Sequence, residues 1–99
     1  MKIVYNHNLS KKDLYSRITN FIPSLIEKHS EMIANPKTYW NEDKSELDYS
    51  VKIMSFQTQG KVELKNDKII LEGSLPGGLF LFSGKIKKVI TTHLDELLR

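Results

Sequence analysis

The chain carries three histidines and no cysteine, so any chemistry beyond packing must come from imidazole, carboxylate, hydroxyl or amine groups. Without thiols there are no disulfides, no thiolate metal sites and no cysteine nucleophile. His29 and His93 fall in phase with apolar helical stripes, where a histidine is ordinarily a hydrogen-bonded core or boundary residue. His7 ends the first strand between Asn6 and Asn8, and its simplest role is a bond to a neighbouring loop. No pair of histidines shows zinc-motif spacing. Glu42, Asp43, Glu46 and Asp48 cluster around a polar turn, which does not offer the contrasting environments that separate an acid from a base. Ser10 and Ser83 lack a nucleophile-elbow context. Pro76-Gly77-Gly78 at a strand-to-helix junction reads as a plain turn, although such a turn can aim backbone N–H groups at an anion. No catalytic residue, metal ligand or cofactor site is therefore expected, and the protein reads as a non-enzyme.

The remaining candidates are surfaces. Thirteen of the fifteen basic residues are lysine and only Arg17 and Arg99 are arginine, at a net charge of +3. Arginine is the preferred residue for bidentate phosphate and base contacts, so nucleic-acid binding is not expected. Lys85, Lys87 and Lys88 look like a patch in one dimension. On a helix at about 100° per residue, Lys85 and Lys87 flank the apolar stripe on opposite sides and Lys88 points away from it. Leu79-Phe80-Leu81-Phe82 is different. Leu79 and Phe82 join the buried stripe, whereas Phe80 and Leu81 point away from its centre. Phe80 shares a flank with Leu94 and Leu98. Either the rest of the fold covers that flank, or Phe80, Leu81, Leu94 and Leu98 form an apolar contact surface for a partner or a second copy.

The elements that must position these residues follow from periodicity. Residues 2–7 alternate as a strand, with Ile3, Tyr5 and His7 on one face. Ser10 opens a helix through a capping box completed by Asp13. The apolar stripe Leu14, Ile18, Phe21, Ile22, Leu25, Ile26, Met32 and Ile33 predicts one helical unit over 10–34, kinked near 19–23 by Pro23 and ended by Asn35-Pro36. Thr38, Tyr39 and Trp40 predict a short strand within 37–42. Leu47, Tyr49, Val51 and Ile53 alternate cleanly in the next strand. Gln57-Thr58-Gln59-Gly60 reads as a turn or bulge. Val62 and Leu64 then pair with Ile69, Leu71, Gly73 and Leu75 across a turn at Asn66-Asp67. A last helix over 79–98 carries Leu79, Phe82, Ile86, Val89, Ile90, His93 and Leu97 on one stripe. The expected fold is a single α+β domain over 1–99. Its antiparallel sheet packs two long amphipathic helices on one face, in the order β-α-β-β-β-β-α.

At 39% hydrophobic and 27% charged, the chain is ordinary globular protein. No run approaches the roughly 18 apolar residues of a membrane span, and the first residues lack a signal-peptide core. The expectation is a cytoplasmic protein with no membrane span.

Gly60-Lys61-Val62, Leu75-Pro76, Phe82, Gly84-Lys85-Ile86 and Leu94-Asp95-Glu96-Leu97-Leu98 stand in an order that resembles one family. It is the small polyhydroxyalkanoic acid system proteins, also called granule-region proteins. His7-Asn8-Leu9 followed by a long amphipathic helix is similar to that family's opening. The chain departs from the pattern at Pro23, at Trp40-Asn41 and in its lysine content. The resemblance implies a bacterial accessory role in polyester storage, with the polyester granule surface or granule proteins as partners, and carries no catalytic residues with it. A homodimer through the same apolar flank is the competing use of that surface. Two alternatives remain open. In a helix-grip carrier of a small hydrophobic ligand, His7, Tyr5, Trp40, Tyr49 and Phe56 would line the cavity. In a ribosome or RNA-binding module, binding would weaken steeply with salt.

Overall fold

The computed structural model describes residues 1–98. Its elements are β1 (Lys2–Asn6), α1 (Lys11–Ile18), α2 (Phe21–Lys28), β2 (Ile33–Trp40), β3 (Glu46–Ile53), β4 (Phe56–Leu64), β5 (Lys68–Gly73), α3 (Gly77–Phe80) and α4 (Ser83–Leu98). The strands form one sheet in the order β1-β5-β4-β3-β2, antiparallel at every pairing. Alternation sets its two faces. Ile3, Leu47, Val51, Val62, Leu64, Ile69 and Leu71 are buried in one core with Leu14, Ile18, Phe21, Ile22 and Leu25 of α1 and α2 and with Ile86, Ile90 and Leu94 of α4. The other face carries Lys2, Asp48, Lys52, Gln59, Lys61 and Glu72, all exposed. The fold class is the expected α+β with an antiparallel sheet, but the two long helices are each divided.

The first division has a local cause. Ser10 caps α1 by accepting from the Asp13 N–H at 3.2 Å. Pro23 has no N–H to donate, and its ring would clash with the carbonyl four residues back. The chain ends α1 at Ile18 and restarts at Phe21, so Pro23 falls in the first turn of α2, where a missing donor is harmless.

The end of that helical unit is set from farther away. Met32 and Ile33 do not continue the helix; Ile33 opens β2 and pairs with Ile53. Asn35-Pro36 is not a helix stop but the site of a bulge, where the register slips between Ala34 and Lys37. Asn35 takes φ 52° there. β2 is an edge strand, the place where a sheet tolerates proline and a bulge.

Gln57 to Gly60 is likewise not a turn. It runs through β4, and the hairpin closes at Met54-Ser55, both left-handed at φ 51° and 74°, as a two-residue turn between Ile53 and Phe56 requires. Gly60 has a different duty. It lies opposite Tyr49 in β3, and Gly73 lies opposite Gly60 in β5. The Tyr49 ring crosses both, and its hydroxyl donates to the Glu72 carbonyl at 3.1 Å. A Cβ on Gly60 would sit 2.0 Å from that carbonyl oxygen, and one on Gly73 would sit 2.4 Å from the Tyr49 hydroxyl. Burial pushes the Tyr49 phenol up to about 12.

Candidate functional site

Most of the large exposed apolar residues among those described belong to two neighbouring segments. α3 buries Leu79 completely, while Phe80 is 68% and Leu81 83% exposed. The Phe56 ring lies over Gly78, so that a Cβ there would meet its Cζ at 2.8 Å. This contact brings the start of β4 and the β3–β4 turn to α3, and Met54, Phe56 and Phe82 are exposed as well. Five of the seven large exposed apolar residues among those described belong to these two segments. Such a concentration marks a contact surface.

Two residues expected on this surface are elsewhere. Leu94 is 0% exposed and sits in the core, and Leu98 is half-buried against it. Phe82, expected inside, is outside. The reason is the break before α4: Phe82 precedes the helix and only its carbonyl enters it, accepting from the Ile86 N–H at 2.9 Å. Ile86, Ile90, His93 and Leu94 then form the buried stripe, which turns toward Leu94 rather than Phe82.

The five residues proposed to line a ligand cavity are not brought together. Tyr5 donates to Asp95 Oδ1 at 2.5 Å. His7 Nδ1 accepts from the Leu9 N–H at 3.1 Å, so Nε2 carries the proton and donates to the Lys65 carbonyl at 2.9 Å. Trp40 packs edge-on against Tyr15 at 4.8 Å, and Phe56 belongs to the apolar tip. Only Tyr49 reaches the space between sheet and helices, a cavity of about 50 Å³ lined by residues such as Leu25, Val51, Ile86 and Ile90. Ligand pockets are typically about 300 Å³ or more.

A second feature joins α2 to α4. The Ser24 hydroxyl lies 2.7 Å from His93 Nε2, and His93 Nδ1 lies 3.8 Å from Glu96 Oε2. The order resembles a nucleophile, a base and an orienting acid, but the serine is engaged by its own helix. Ser24 is within a helix, and its hydroxyl donates to the Asn20 carbonyl at 2.6 Å, the usual back-bond of a helical serine. Glu96 is held by Lys28 in an ion pair, and His93 is buried beside the Phe21 ring at 5.4 Å. This is a clasp that satisfies a buried imidazole. Burial, with Lys28 close by, holds the His93 pKa below its ordinary value.

Around that clasp opens a groove of about 390 Å³ lined by Lys28, His29, Lys85, Lys88, Thr92 and Glu96 among others. Sequence reasoning missed it because it treated α4 alone. Lys85 and Lys88 are one helical turn apart, and α2 supplies Lys28 and His29 from across the groove. The spacing of Lys85, Lys88 and Thr92 was the available signal.

The acidic turn is the solvated loop expected. Asn41 Oδ1 accepts from the Ser45 and Glu46 N–H groups, each at 3.0 Å, and bonds from Ser45 hold the Asp43 carboxyl below its usual value. Among the described residues, no group of three or more histidine, aspartate or glutamate side chains is placed to hold a metal. No helix among them is long and apolar enough to cross a membrane.

Fold and site together define a small single-sheet α+β protein with an apolar tip and a basic groove between its helices. The chain belongs to the family described as "Putative polyhydroxyalkanoic acid system protein", whose model matches residues 1–98. No curated protein and no solved structure matches it.

Proposed function

We propose that this protein is a non-enzymatic, cytoplasmic accessory of polyester storage that adheres to the granule surface through its apolar tip. The single observation carrying this reading is the exposure of Phe80 and Leu81 at 68% and 83%, on a short helix whose buried residue, Leu79, anchors it to the core. Family membership supplies the polyester context. A polyester surface is apolar, and covering a Phe or Leu side chain is worth about 1.5–3 kcal/mol. Phe80→Ser with Leu81→Ser removes both, and partition onto purified polyester particles should fall by about 100-fold or more. Unchanged partition of a folded double variant rejects the reading.

The carrier alternative draws no support from a cavity of about 50 Å³. The homodimer alternative uses the same tip, and light scattering of the wild type and the double variant separates the two. A dimer that the double substitution converts to monomer, without granule binding in either form, assigns the tip to self-association.

A further inference from the structure

The apolar tip does not stand alone. Leu81 caps α3 just two residues before α4 begins, and Lys85 and Lys88 stand one turn apart at the start of α4. A second route leads to the same place. The Met54 N–H donates to the Met32 carbonyl at 2.8 Å, and the Met32 N–H donates to the His29 carbonyl at 2.9 Å. The hairpin turn of the tip is thereby tied to the end of α2, where Lys28 and His29 sit. The basic groove opens beside the tip.

Charge in the groove is unbalanced. Three lysines face one carboxylate, Glu96, and Glu96 is taken by Lys28. Lys85 and Lys88 make no ion pair among the described residues, as is also true of Lys52 and Lys68 in the sheet; what sets them apart is that they share one groove with Lys28. Glu27, exposed beside Lys28, and Glu31, exposed in the turn after α2, are the acidic residues next to the α2 side of this rim, while Asp95, beside Glu96, accepts from the Tyr5 hydroxyl. Exposed aromatic and aliphatic side chains bordered by unpaired lysines are what an interfacial anchor presents to lipid. The apolar part enters the acyl boundary, and the amines meet headgroup phosphates.

We infer that this end of the protein is a binding site for an anionic phospholipid surface, with Phe80 and Leu81 inserted and Lys85 and Lys88 on the headgroup phosphates. The inference rests on the adhesive reading of the tip and adds a second partner to bare polyester: a charged lipid layer. The Lys28–Glu96 pair and the buried His93 hold the two walls of the groove together, so the amines are presented from a fixed frame.

Flotation with vesicles of phosphatidylcholine, with and without phosphatidylglycerol, tests it. Wild-type protein should bind the phosphatidylglycerol vesicles and release them as salt rises. Lys85→Gln with Lys88→Gln should weaken that binding about 25-fold, about fivefold for each lysine, while leaving partition onto bare polyester unchanged. Lys2→Gln with Lys61→Gln, which removes the same charge from the far side of the sheet, should leave vesicle binding unchanged. Equal binding to charged and neutral vesicles overturns the inference, and so does an equal loss from the two lysine pairs. Vesicle binding absent while an RNA hairpin binds through Lys85 and Lys88 overturns it in favour of nucleic acid. The adhesive reading fails separately, when Phe80→Ser with Leu81→Ser leaves bare polyester partition intact. All six substituted side chains are exposed, and circular dichroism confirms that each variant is folded.

Discussion

Tyr49 shows why two glycines stand in the middle of a sheet that would otherwise avoid them. Its ring occupies the space that side chains at 60 and 73 would fill, the aromatic cover that strand glycines need. Gly60→Ala puts a methyl group against a carbonyl oxygen that cannot retreat, and should cost about 3 kcal/mol in urea unfolding. Tyr49 should titrate late, near 12, and Tyr49→Phe should remove one late-titrating phenol from an ultraviolet titration. Because the folded phenol resists ionisation, the stability it carries is complete below about pH 10 and is lost as pH climbs toward 12. His93 has the opposite window. Its folded pKa is lowered, mainly by burial and then by Lys28, with His29 adding and Glu96 opposing. Its contribution is present above about pH 6.5 and fades as pH falls through the folded value, because the unfolded chain takes up the proton first. The melting temperature should drop between pH 7 and pH 5, and less steeply in His93→Gln, which keeps a hydrogen-bonding group for Ser24. The duty of Gly60 could not be read from its neighbours, since Gln57-Thr58-Gln59-Gly60 has turn composition and the ring that needs the glycine comes from another strand.

At the scale of elements, patterns with a local cause were legible and those with a distant cause were not. Ser10 announces α1 because a cap acts within one turn. Leu47, Tyr49, Val51 and Ile53 announce β3 because alternation alone decides which face is wet. Ile33 has helical phase, yet its partner Ile53 lies in another strand, and pairing outweighs propensity. Met54-Ser55 lacks the Asn-Gly chemistry of a tight hairpin, and the next polar cluster has more of a turn's composition. Pro23 signals a disturbance, but a kink and a restart share the same apolar phase. α3 carries the sharpest contrast between neighbours. Leu79→Ala removes a fully buried side chain and should cost about 2–5 kcal/mol. Phe80→Ser with Leu81→Ser should change stability by no more than about 0.5 kcal/mol per site, although only that pair should lose adhesion. Chemical denaturation of both variants checks the contrast.

For the molecule as a whole, the split between a polar sheet face and a tip of exposed rings gives the proposed attachment a direction. Adhesion to bare polyester should be indifferent to salt, because no charge takes part, whereas attachment to an anionic layer should weaken as the Debye length shortens. Comparing the two surfaces across a salt series measures how much of the hold belongs to each part of the end. The tip was partly visible beforehand, since Phe80 and Leu81 are off-phase in any helical drawing. The groove was not, because its lysines come from helices more than fifty residues apart in the chain. Proteins held side by side on a particle meet one another at concentrations far above those in solution, and an open strand would then invite neighbour to zip onto neighbour. The outer rim at β2 resists this. Pro36 offers no amide hydrogen, and the slipped register around it leaves an arriving strand nothing continuous to match. At the β2 edge an arriving neighbour therefore finds no continuous ladder to extend.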